Sequence, residues 1–241
     1  MPVAAHQSSV DVDMNEHTAR RSLVRSLFPS EVVVEEASIR AISESLFPEE
    51  RACVEHAIPK RVREFTAGRV CARRALAELG ITDYPLLVGR DRAPIWPPEV
   101  IGSISHTSDF CAVAVARRSP SVGIGLDIEP AGDLADELWP HVLTQLEQRW
   151  LEGLPAARRG GLAKLVFCAK ECTYKCHYGV HQTWLDFSDA DITIDLKRGE
   201  FAARINKTLG PRCSAGTRLV GRFVLDRQYI CAGSLFTFGE D

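Results

Sequence analysis

Along residues 59–79 apolar positions recur at threes and fours, with Val62, Phe65, Ala72, Leu76 and Leu79 on one stripe and Gly80 placed to end the pattern. This spacing predicts a helix. Arg69 falls on the same stripe, where an arginine needs an anion or a carboxylate once the stripe packs. Short strand-like runs follow at 86–89, 100–105, 111–116 and 122–128, separated by turn formers such as Pro97-Pro98 and Ser119-Pro120. Helical character resumes over 143–151 and 162–178, and further strands are expected at 192–196, 218–225 and 229–236. Residues 1–20 lack apolar periodicity and read as a mobile tail. Each half thus offers a long helix and a few short strands, an α+β pattern. The expected division is a tail over 1–20, an N-terminal half over 21–118 and a C-terminal half over 119–241.

Charge adds an exclusion. With 29 Lys and Arg against 32 Asp and Glu, the net charge of −3 supplies no bulk attraction for nucleic acid or an anionic membrane, so any basic site is local. No apolar stretch has signal-peptide length and no uncharged run reaches about 18 residues, which points to a soluble cytoplasmic chain. The eight cysteines include no C-x-x-C pair and no His/Cys group of zinc-finger spacing. Several lie in apolar runs, as in Phe110-Cys111-Ala112-Val113, and read as reduced, small hydrophobes. Cys168, Cys172 and Cys176, spaced by fours, read as core packing before a metal or redox stripe.

Four segments carry candidate chemistry. Gly123-Ile124-Gly125-Leu126-Asp127-Ile128-Glu129-Pro130 is an apolar strand that ends with two carboxylates on one face. Such a pair suits a hard cation such as magnesium, although acidic pairs at strand ends are also common solvent-facing features. In Phe167-Cys168-Ala169-Lys170-Glu171-Cys172-Thr173-Tyr174-Lys175, Glu171 and Lys175 stand one helical turn apart. They form either an exposed ion pair or, given their apolar surroundings, charges that require a buried partner. Gly102-Ser103-Ile104-Ser105-His106-Thr107 closes a strand with hydroxyls and a histidine; His106 stands where a G-x-S-x-G nucleophile elbow needs glycine, which argues against an esterase. The last segment is the basic cluster Lys60, Arg61, Arg63, Arg69, Arg73 and Arg74, joined later by Arg90 and Arg92.

In this order, G-S-I-S-H-T, G-I-G-L-D-I-E-P and F-C-A-K-E-C-T-Y-K resemble the signature of the phosphopantetheinyl transferases that activate siderophore, peptide and polyketide synthases. The earlier P-K-R-V-R-E-F-T-A-G-R-V-C-A-R and R-A-P-I-W-P resemble the enterobactin-synthetase-activating branch. The resemblance implies two similar α+β halves forming an intramolecular pseudo-dimer, with coenzyme A between them, and a monomer as the working unit. It implies magnesium on Asp127, Glu129 and Glu171. Lys170 and Lys175 would contact the phosphates, with Glu171 and Lys175 assisting the reaction. Ser105 and His106 would touch the coenzyme's phosphates, while Arg61 and Arg69, with Arg90 and Arg92, would surround its 3′-phosphate and adenosine. The implied reaction is attack by a serine of an apo acyl or peptidyl carrier protein on the β-phosphate of coenzyme A. A magnesium-dependent phosphohydrolase and a silent coenzyme- or carrier-binding module stand as alternatives.

Overall fold

The computed structural model describes residues 22–89, 91–210 and 212–239; the tail expected over 1–20 and Arg90 lie outside them. After β1 (Val33–Ser38) and the short α1 (Pro48–Ala52) comes the long α2 (Pro59–Glu78). Proline at its first turn has no N–H to strand, and Gly80, at φ +77°, closes a Schellman end in which Ile81 N–H donates to Leu76 O and Gly80 N–H to Ala77 O. The strands β2 (Val100–His106), β3 (Phe110–Arg117) and β4 (Val122–Pro130) follow. Next are α3 (Trp139–Val142), α4 (Gln145–Glu152) and the longest helix, α5 (Ala156–His181). The strands β5 (Ala190–Asp195), β6 (Glu200–Ile205), β7 (Arg218–Leu225) and β8 (Tyr229–Thr237) complete the chain.

The strands form two antiparallel sheets, ordered β1-β3-β2 and β4-β8-β7-β6-β5. Strand β3 is buried on both faces because alternate residues enter different cores. Cys111, Val113 and Val115 pack under α2, whereas Ala112, Ala114 and Ala116 meet Ile124, Leu126 and Ile128 of β4. The opposite face of the second sheet packs on α5 through Cys168, Cys172 and Cys176. The order is therefore helix, sheet, sheet, helix. Each fully buried Leu or Ile in these layers contributes roughly 1.5–3 kcal/mol.

The strand expected at 86–89 is reduced to a single bridge between Val88 and Pro94, since proline cannot extend a ladder. Two strands, β1 and β6, have no counterpart among the sequence-based expectations. In β1 the Val33-Val34-Glu35-Glu36 run has no period of two, and most of its residues are half-buried. Among the described residues no helix is long and apolar enough to cross a membrane.

Candidate active site

Gly123, Gly125, Asp127 and Glu129 alternate along β4 and share the face turned to α5. The two glycines set how close the helix comes. A Cβ on Gly125 would lie 2.1 Å from the Cys172 carbonyl oxygen, and one on Gly123 would lie 2.2 Å from that of Cys176. Helix backbone rests directly on strand backbone, and this approach brings Asp127 beside the face of α5 that carries Lys164, Cys168, Glu171 and Lys175.

Asp127 is 4% exposed. Its Oδ1 accepts from Lys175 Nζ at 2.7 Å and from Ser105 Oγ at 3.1 Å. Ser105 in turn accepts from the Ile128 N–H at 3.0 Å and from Lys175 Nζ at 3.3 Å. Two residues earlier on β2, Ser103 accepts from the Leu126 N–H at 3.0 Å. The Ser103 and Ser105 hydroxyls thus satisfy the open edge of β4, as a neighbouring strand would, and stitch the two halves together. Asp127 Oδ2 is buried and has no hydrogen-bond partner among the described residues.

The remaining acids lie around this point. Glu129 Oε2 pairs with Lys164 Nζ at 2.9 Å. Burial raises the carboxyl pKa of Glu129 and of Glu171, and the charge of Asp127 adds to the rise in both. Lys175 shows the opposite balance: burial would lower it, but Asp127 and Glu171 hold it above the ordinary lysine value, so it remains an ammonium. The three carboxylates are not all within 4.8 Å of one another, and lysines occupy two of them.

Beside these groups a cleft of about 650 Å³ opens between the halves. Gly102–Ile104 of β2 line it on one side, Gly89 and the loop 91–96 with Arg92 on another, and Tyr174, Lys175 and Tyr178 of α5 on a third. Trp96 lies flat on Gly102, where a Cβ would come within 2.5 Å of the indole. The Tyr178 hydroxyl donates to Asp91 Oδ2 at 2.6 Å and ties the loop to α5. A larger hollow of about 890 Å³, under Leu27–Pro29 on the second sheet, shares no lining residue with the acidic group.

Arg61 and His106 meet, with Nη1 3.3 Å from Nε2. Burial lowers the His106 pKa, so the neutral ring accepts from the guanidinium. Two basic residues expected at the coenzyme are placed elsewhere. Lys170 is buried and turned away from the cleft, paired with Glu147 Oε2 at 2.9 Å and donating to the carbonyls of Phe187 at 2.6 Å and Ala190 at 3.0 Å. With all three protons engaged it has none for a phosphate. Arg69 is 6% exposed, stacked at 3.9 Å over Phe65, and its Nε donates to Leu86 O at 2.8 Å. Burial brings its pKa down to about 10. The anion demanded by its position on the stripe is replaced by a carbonyl and an aromatic face. Cys168, Cys172 and Cys176 are fully buried in the core. Sequence reasoning missed Lys164, although it lies seven residues before Glu171 and so on the same helix face. It also missed Glu147 as the partner of Lys170, for which the sequence holds no local signal.

Two α+β halves that close on a cleft lined by Arg92 and the Lys175 ammonium, with Lys175 tied to the buried Asp127, are the setting for an enzyme of a phosphorylated substrate. Residues 49–116 match the 4'-phosphopantetheinyl transferase N-terminal domain, and residues 123–232 match the 4'-phosphopantetheinyl transferase superfamily. The chain is 43% identical over 188 residues to the 4'-phosphopantetheinyl transferase Svp of Streptomyces mobaraensis, covering 76% of each chain. It is 32% identical over 219 residues to PptT of Mycobacterium tuberculosis, covering 86% of this chain and 94% of that one. Enterobactin synthase component D of Escherichia coli is 40% identical over 126 residues, covering 52% and 58%. The chain belongs to the 4'-phosphopantetheinyl transferase superfamily. Its reaction moves the 4'-phosphopantetheine group of coenzyme A onto a serine of a carrier protein and releases adenosine 3',5'-bisphosphate. The phosphohydrolase and silent-module alternatives find no support in these relatives.

Proposed function

We propose that the transfer takes place where Asp127, Ser105 and Lys175 converge, with coenzyme A lying in the 650 Å³ cleft. The observation that carries this reading is the unpartnered, buried Asp127 Oδ2, an oxygen that needs a cation. Together with Glu129 and Glu171 it offers the hard oxygen donors that fit magnesium. Bound there, magnesium would neutralise charge on the pyrophosphate as the bond to the leaving group breaks.

The protein's own groups do the rest. Lys175, kept cationic by Asp127 and Glu171, is free to move from carboxylate to phosphate oxygen when substrate enters. Ser105 fixes the Asp127 carboxylate by donating to it while its own lone pairs hold the β4 backbone. Arg92, which lines the cleft, and Arg61, oriented by the His106 ring that accepts from it, supply donors to the coenzyme's phosphates. Glu171, whose affinity for protons is raised by burial, accepts the serine proton directly or through water. Trp184, 69% exposed and packed on Tyr174 beside Glu171 with ring centroids 4.9 Å apart and planes tilted by 58°, gives an apolar rim for an acyl or peptidyl carrier. The internal pair of halves suits a monomer, and cysteines that are all free, with all but Cys53 buried, suit the reducing cytoplasm.

The test is intact-mass analysis of an apo carrier incubated with the enzyme, coenzyme A and magnesium. Wild type is expected to add one phosphopantetheine, and a chelator is expected to prevent it. Asp127→Asn, which keeps the size and one acceptor, should lower the rate by about 10²–10³-fold. Full activity in that variant would remove Asp127 from the site.

A further inference from the structure

On the far side of α5 from β4's acids, three side chains converge that the transfer reaction does not use. His177 and His181 are one turn apart near the end of the helix, and Cys213 approaches from the connection between β6 and β7. One ligand atom from each lies within 4.8 Å of the other two. His177 and Cys213 are fully buried. His177 Nε2 lies 2.9 Å from Thr183 Oγ1, while its Nδ1 is buried without a partner among the described residues; His181 Nε2 is likewise buried and unpartnered. Two unpartnered nitrogens on neighbouring imidazoles are costly unless a donor or a cation meets them.

Their surroundings fix them in place. The two rings stack with centroids 4.6 Å apart, and Phe238 stands edge-on to both. Cys213 is held by its own turn, its N–H donating to Gly210 O at 3.1 Å and its carbonyl accepting from Leu209 N–H at 2.8 Å. In the tautomer whose Nε2–H donates to Thr183, His177 presents Nδ1 as a lone pair, the arrangement that orients metal-binding histidines. Burial, with His181 beside it, brings the His177 pKa down to about 4, and burial lowers His181 too, so neither ring competes for a proton at neutral pH.

We propose that His177, His181 and Cys213 form a binding site for a borderline-soft divalent cation of the zinc type, separate from the acidic site. Two imidazoles and a thiolate select such an ion over magnesium, whose preference is for oxygen. Bonds of roughly 2.0–2.3 Å set tetrahedral ligand atoms about 3.3–3.8 Å apart, so atoms that lie within 4.8 Å of one another need only a small closure on binding. The Cys213 thiol, whose pKa burial raises, loses its proton to solvent as the metal–sulfur bond forms. The ion would clasp the β6–β7 connection to the last turns of α5, the helix that carries Lys175 and Tyr178 into the cleft.

The probe is cobalt(II), titrated into the reduced, chelator-stripped full-length chain with magnesium in excess to hold the acidic site. The wild type is expected to develop a thiolate-to-cobalt charge-transfer band that saturates at one equivalent and is bleached by zinc. Cys213→Ser should lose the band while still transferring phosphopantetheine with magnesium, and His181→Gln should weaken cobalt binding at least about tenfold, about 1.4 kcal/mol. A wild type without the band, or a Cys213→Ser variant that keeps it, overturns the site. Should Cys213→Ser fail to fold, unchanged cobalt affinity in His181→Gln overturns it instead.

Discussion

The two halves share a plan, a long helix laid on an antiparallel sheet, yet they bring opposite chemistry to their junction. From the N-terminal half come Ser103, Ser105, His106 and Arg61, hydroxyls and cationic or neutral donors. From the C-terminal half come Asp127, Glu129 and Glu171, with Lys164 and Lys175 set among them. Helix packing explains the difference. Helix α5 lies against glycines on β4 with no side chain between, so polar groups at the end of that strand reach the helix. Helix α2 instead packs on Cys111, Val113 and Val115, and its one charge on the apolar stripe, Arg69, is absorbed by Phe65 and Leu86. A half with a spacious apolar helix contact makes a support, while a half with a glycine contact makes room for chemistry.

The largest expected contrast lies within α5. Lys175→Met should lower transfer per folded molecule by about 10²–10³-fold, besides costing stability by leaving the buried Asp127 without its partner. Lys170→Met should strand the Glu147 charge at a cost of about 3–5 kcal/mol while activity per folded molecule stays near wild type. Melting curves and rates on both proteins check this, and loss of activity without loss of stability in Lys170→Met would break the distinction. Next come the two stitching serines. Ser103→Ala and Ser105→Ala each orphan a buried β4 N–H, costing about 1–3 kcal/mol by denaturant unfolding, but only Ser105→Ala should also slow transfer. Arg61→Met should raise the KM for coenzyme A by about tenfold, or about 1.4 kcal/mol. Arg69→Met should lose stability and leave that KM alone.

The smallest effect is a gain. Burial first, then the charge of Asp127, raises the Glu171 pKa in the folded chain. A carboxyl whose folded value exceeds its unfolded one contributes stability below the ordinary glutamate range and loses it as pH rises through the raised value. Glu171→Gln should therefore melt slightly higher than wild type at neutral pH without magnesium, with the advantage vanishing in acid. The same variant should fail to transfer. A lower melting temperature at neutral pH would show that the glutamate is stabilising as an anion.

Helices α2 and α5, most of the strands, and the placing of Asp127 and Glu129 on one face of β4 and of Glu171 one helical turn from Lys175 were legible in the sequence, because period and spacing are local properties of the chain. Strand β1 was not, since its two valines and two glutamates alternate in pairs and acquire a face only against β3. The sequence also determined that Lys170 and Lys175 flank Glu171, but five residues of helix separate their directions, and only packing decided that one meets Glu147 and the other Asp127. Likewise the H-x-x-x-H spacing of His177 and His181 is visible along the chain, whereas Cys213 joins them only through the turn between two strands. Pairing across long separations depends on which faces lose their water together, and that is a property of the assembled layers.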